Sequence, residues 1–120
     1  MRRRPRWYGL LAAALIVGQP AIGWAELTIR LISVTSPVRR GDPARVEIHT
    51  TPAAVCDIEV VYRSGPSRAA PLRPRRADER GRVVWLWRVG KQAAPGRALV
   101  TVGCLLGEQI TTLRTEFTVR

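Results

Sequence analysis

The side chains with the greatest capacity for chemistry lie between residues 63 and 82. There Arg63, Arg68, Arg73, Arg75, Arg76, Arg80 and Arg82 are opposed by only Asp78 and Glu79. A guanidinium stays charged and presents paired donors, so such a run suits a phosphate or carboxylate ligand. Folded over one sheet edge, it would make a positive surface able to hold an anionic envelope polymer, a phosphate-bearing lipid head group or nucleic acid, with salt-dependent affinity. The alternative is a solvated loop whose charge keeps a sheet edge from pairing with other chains. No aromatic residue is interleaved with these arginines to stack a base or sugar.

Other constellations fall short of catalysis. His49 is the only histidine, two residues after Glu47, and no third metal ligand accompanies the pair. It also has no neighbouring nucleophile with an orienting acid. Asp78 and Glu79 sit among arginines that keep both ionised, the opposite of what a general acid needs. Arg40-Gly41-Asp42 is the integrin-binding tripeptide, but Gly41 and Asp42 are equally what a turn requires. The expectation is therefore a non-enzymatic protein with no catalytic residue, cofactor or metal.

What must position these residues begins with an export signal. Residues 1–25 carry basic Arg2, Arg3, Arg4 and Arg6, an apolar run from Trp7 to Val17, and a breaker-containing tail at Gln19-Pro20. Gly23 and Ala25 fit cleavage after Ala25. The alternative is a retained membrane anchor, weakened by Gln19, Pro20 and two glycines. On this reading the protein is extracytoplasmic, in the periplasm, at the cell surface or secreted. Nucleic acid is then not an expected partner, and membrane contact is expected only through an uncleaved N-terminal segment.

The formal charge is +11, from 20 basic and 9 acidic side chains. Setting aside the four N-terminal arginines leaves 16 basic against 9 acidic, and Lys91 is the only lysine. Cys56 and Cys104 are the only cysteines, so one intramolecular pairing is possible, and in an exported chain a disulfide is expected.

From residue 26 to residue 120 the pattern is strands. Leu27, Ile29 and Leu31 alternate with polar residues before Ile32 and Val34 change phase, which predicts either a switch of faces or a bulge. Ala44, Val46, Ile48 and Thr50 make a second inward face. Cys56, Ile58, Val60 and Tyr62 make a third. The Arg63–Arg82 connection is punctuated by prolines and is expected to hold a short edge strand around Leu72. Beyond it Val83, Trp85, Trp87 and Val89 share one face, followed by Ala98, Val100, Val102 and Cys104, then Leu113, Thr115, Phe117 and Val119. Trp85, Trp87, Tyr62 and Phe117 are the expected organisers of the core. About seven short strands separated by turn signals define an all-β antiparallel sandwich. In such a sandwich the strand opened by Cys56 and the strand closed by Cys104 are antiparallel neighbours, which places the sulfurs within bonding reach.

From about Ser36 to Val119 the chain resembles the immunoglobulin-like domains of bacterial secreted and cell-surface proteins. The matching features are the Pro37 and Gly41 turn, Cys56 before a run ending at Tyr62, the Ser64-Gly65-Pro66-Ser67 turn, Gly81 with Trp85 and Trp87, Pro95-Gly96, and Cys104. It departs from the antibody pattern, because its tryptophans come late and its cysteines would tie neighbouring strands. The resemblance implies an exported immunoglobulin-like structural or binding module of the cell envelope, with an unidentified protein or an anionic envelope polymer as partner. The second reading is a basic domain gripping an anionic glycan, lipid head group or acidic protein through the arginine-rich loop.

Overall fold

The described residues form eight strands, the six longer ones following the apolar alternation: β1 (Ile29–Val34), β2 (Pro43–Thr50), β3 (Val55–Tyr62), β4 (Gly65–Pro66), β5 (Arg75–Arg76), β6 (Arg82–Arg88), β7 (Gly96–Leu106) and β8 (Gln109–Val119). They are seen in a computed structural model that describes residues 26–120, so the signal or anchor reading of residues 1–25 lies outside the described residues. One sheet has the order β1-β2-β6. The other has the order β4-β3-β7-β8, with β5 also paired to β3. The strand pairings are antiparallel, and the chain crosses between sheets after β2, after β5 and after β6. The fold is an all-β, two-sheet sandwich, as the strand pattern predicts.

The inward faces are the ones that alternation selects. Val46, Ile48, Val60, Trp85, Val89, Ala98, Val100 and Val102 are buried in a single cluster drawn from both sheets. Phe117 binds the layers together, lying edge-on to Tyr62 and Trp87 with ring centroids 6.2 and 6.0 Å away. Indole and phenol groups are tolerated here because each finds a partner. Trp87 Nε1 donates to the Tyr62 hydroxyl at 3.0 Å, and Trp85 Nε1 donates to the Arg73 carbonyl at 2.9 Å. Among the described residues no buried side-chain nitrogen or oxygen lacks a hydrogen bond.

Two features close the sandwich along its sides. The register of β1 on β2 shifts between Leu31 and Ser33, so of the two outcomes open where the apolar phase changes, the strand takes the bulge. Past a cis Ser36–Pro37 bond the chain then leaves the first sheet and Val38 bridges in parallel to Val119 of the second. On the other side, the Arg73 carbonyl that receives Trp85 draws the long connection across the gap between β6 and β3.

The edge strand expected around Leu72 is corrected. Leu72 lies in a turn, its N–H donating to the Ala69 carbonyl, and its side chain packs on the core. Pro71 and Pro74 flank it and have no N–H to give a ladder, so pairing begins only at Arg75–Arg76. A second short strand, Gly65–Pro66, pairs with the far end of β3.

At Gly81 the turn into β6 admits only glycine. Its φ is +79°, and a Cβ there would lie 1.9 Å from the Thr50 carbonyl oxygen. That proximity lets Thr50 N–H donate to the Gly81 carbonyl at 2.7 Å, which sets the start of β6 against the end of β2.

Candidate functional site

The sandwich has two poles, and successive turns alternate between them. Turns 51–54, 77–81 and 107–108 lie at the pole where Glu26 enters. That pole is tied by Leu27 N–H donating to Gln109 Oε1 at 3.0 Å and by the Thr51 hydroxyl donating to the Glu26 carbonyl at 2.9 Å. Segments 35–42, 63–64 and 89–95, with Arg120, lie at the other, the Gly41 pole. Here Gly41 N–H donates to the Val89 carbonyl at 2.7 Å, Val89 N–H to the Asp42 carbonyl at 2.9 Å, and Ala94 N–H to Ser64 Oγ at 3.1 Å.

The seven arginines of the long connection are not brought together. β4 pairs with Val61 and Tyr62, whereas β5 pairs with Val55 and Cys56. A strand rises about 3.3 Å per residue, which separates these ends of β3 by about 20 Å. Arg63 and Arg68 therefore belong to the Gly41 pole, Arg73 to the middle of the edge, and Arg75, Arg76, Arg80 and Arg82 to the Glu26 pole.

At the Glu26 pole an open cleft of about 760 Å³ is lined by Pro52, Ala53, Arg76, Ala77, Asp78, Glu79, Arg80 and Arg82. Its three arginines meet two carboxylates, and one of those arginines is paired from outside the cleft. Asp78 Oδ1 accepts the backbone N–H of Arg82 at 2.8 Å and of Arg80 at 2.9 Å, fixing the turn. Arg82 Nε donates to Glu47 Oε2 at 3.0 Å, and Arg45 Nη2 to Glu47 Oε1 at 2.8 Å. The Arg82 N–H, then the Arg80 N–H and both guanidinium charges, outweigh desolvation and hold the Asp78 carboxyl below its ordinary 3.8. Glu47 is likewise lowered, first by the Arg45 hydrogen bond and then by Arg82, against desolvation.

Both depressed values carry the same sign. The stabilisation is fully present above the unfolded-state pKa values and is lost as pH falls through the lower folded ones. An acid titration of the melting temperature tests this. The difference between the native protein and the Asp78→Asn variant should be largest near neutrality and shrink steadily below about pH 4. A difference independent of pH would show that the ionised carboxylate is not what holds the turn.

The Gly41 pole is different in kind. It gathers Arg39, Arg40, Arg63, Arg68, Arg88, Lys91, Arg97 and Arg120, opposed by Asp42 and Glu116. The other eight basic side chains from Glu26 onward face the remaining seven acids. Nearly all the net charge of the described residues thus sits at one end. One shallow cleft there, of about 440 Å³, is lined by Arg68 and Arg88 with Tyr62, Ser64, Ser67 and Gln92 among others. A second, of about 420 Å³, places Arg39 beside Arg120. Arg97 makes an exposed, 3.5 Å contact with Glu116, and Arg88 donates to the Gly41 carbonyl.

This concentration draws mostly on positions outside the arginine-dense run of residues 63–82: Arg39, Arg40, Arg88, Lys91, Arg97 and Arg120. The available signal was strand parity. Each full-length strand traverses the sandwich, so alternate connections share a pole, and the basic residues belong mostly to one alternate set.

Elsewhere, His49 is exposed on the outer face of β2, opposite Arg30 on one side and Arg82 on the other. Glu47, its neighbour on that face, has both oxygens taken by arginines. Among the described residues no three of the histidine, cysteine, aspartate or glutamate side chains gather as a metal-binding group. Arg40-Gly41-Asp42 lies in the turn between β1 and β2, with Arg40 and Asp42 exposed. Trp85, Trp87, Tyr62 and Phe117 are all in the core. Cys56 and Cys104 are bonded, directly opposite one another on β3 and β7 with Cα atoms 4.0 Å apart.

Fold and surface together define a disulfide-stapled β-sandwich domain with a basic end, of the kind that persists in an oxidising compartment. No protein-family model matches the chain, and no curated protein matches it in sequence.

Proposed function

We propose that this protein is an exported, non-enzymatic, immunoglobulin-like binding module of the cell envelope that takes an anionic ligand at the Gly41 pole. The observation that carries the reading is the segregation of charge. Eight basic side chains face two acids at that pole, whereas eight face seven over the rest of the described residues. Export rests on the composition of residues 1–25 together with the disulfide. A rigid scaffold presenting charge on its connecting loops is the usual arrangement of a binding domain.

Two variants of equal charge test the location. Arg40, Arg68 and Lys91 are exposed at the Gly41 pole, and Arg75, Arg76 and Arg80 are exposed at the Glu26 pole. Replacing the first three with glutamine should release the protein from a phosphate-bearing matrix at clearly lower salt than replacing the second three. Equal elution of the two variants would reduce the effect to net charge and remove the proposed site.

A further inference from the structure

We infer that the ligand is a linear polyanion laid across the Gly41 pole and contacted by several loops at once, rather than a single small anion held in a pocket. This rests on the binding-module reading above and gives its ligand a chemical class. The cations are dispersed. Arg68 and Arg88 line one cleft and Arg39 and Arg120 line another, while Arg40, Arg63, Lys91 and Arg97 line neither. They are carried by four connections and by the ends of β6, β7 and β8. With strands about 4.8 Å apart and sheets about 10 Å apart, the pole measures about 10 by 15 Å. One phosphate or sulfate group cannot reach more than a fraction of it.

The chemistry of the pole also selects against an acidic protein. Protein interfaces draw on desolvated aromatic or aliphatic anchors at their centre. Among the described residues the exposed large apolar side chains are Ile32, Val55, Leu86, Leu99, Leu105 and Ile110. All lie within strands rather than on the loops of this pole, and Val55, Leu105 and Ile110 form a row in register at the opposite one. The pole loops likewise present no exposed aromatic ring on which a base or sugar could stack. Charge alone remains as the means of recognition, and it gains from repetition: a polymer with regularly spaced phosphate diesters or uronate carboxylates releases counterions at every contact. The site lies at the opposite pole from Glu26 and Leu27.

The purified exported protein is titrated with long-chain polyphosphate, polygalacturonate, tripolyphosphate and polyglutamate over a range of salt concentrations. The expected result is binding of either or both of the first two polymers at least about tenfold tighter than tripolyphosphate, with a steep salt dependence. The Arg40→Gln, Arg68→Gln, Lys91→Gln variant should lower the slope of log affinity against log salt by about 2, and the Arg75→Gln, Arg76→Gln, Arg80→Gln variant by much less. Tripolyphosphate binding as tightly as the polymers would overturn the polyanion while leaving the anion-binding module standing. Polyglutamate binding where the other two polymers do not would point to an acidic protein and overturn it likewise. Binding of none of the four would overturn both readings.

Discussion

Replacing Cys56 and Cys104 together with alanine is expected to lower the stability of the domain by about 4 kcal/mol, the chain-entropy value for a closed loop of this size. The bridge spans 48 positions and ties β3 to β7 in the second sheet. It encloses β4, β5 and all of β6, the one strand of the first sheet that follows β3. Without it, the proline-rich connection that carries the chain back to the first sheet is free to explore many more conformations in the unfolded state. Both sulfur-bearing residues are buried, so the alanines add a small loss of packing in the same direction. Urea unfolding with and without reductant checks this. The native protein should show a large drop in midpoint on reduction, and the double variant should be indifferent to reductant. An unchanged midpoint in the native protein would mean that the ladder between β3 and β7 holds the sheet unaided.

The bridge is also a measure of how much the chain declares about itself. Period-two alternation placed Cys56 in phase with Ile58, Val60 and Tyr62, and Cys104 in phase with Ala98, Val100 and Val102. That alternation survives because each strand has one wet face and one dry one, and burial enforces the phase. The irregularity in β1 was legible for the same reason, as a change in phase. What alternation does not encode is where a polar segment lies once it leaves the sheet. Leu72 looked like a strand residue because it is the one large aliphatic side chain in its stretch. It packs on the core from a turn instead, and pairing waits for the first residues clear of Pro74.

The candidate site was the least legible part, and the cause is geometric. Density of arginine along the chain drew attention to residues 63–82. Those residues run along an edge from pole to pole and end up apart. Density in space comes from Arg39, Arg40, Arg88, Lys91, Arg97 and Arg120, which are scattered in sequence and joined only by the strands' return to one end. The pairing of Glu47 with Arg82, 35 positions later, was hidden for the same reason. It depends on the neighbouring places of β2 and β6 in the first sheet.

Trp87→Ala is expected to cost about 3–5 kcal/mol and to leave a domain that is at best marginally folded. Trp87 is 2% exposed, lies edge-on to Phe117 and hydrogen-bonds the Tyr62 hydroxyl. Those contacts join β6 of one sheet to β3 and β8 of the other, so the loss falls on the interface between sheets rather than on either ladder. Trp87→Phe separates the polar part from the bulk. It keeps an aromatic ring in the core but strands a buried phenol, which costs about 1–3 kcal/mol beyond the lost volume. Adding Tyr62→Phe removes the orphaned hydroxyl, so the double variant should recover about 1 kcal/mol of stability relative to Trp87→Phe alone. Denaturant midpoints for the two singles and the double give the coupling directly. Strict additivity would show that the hydrogen bond contributes nothing and that the two sheets are held together by packing area alone.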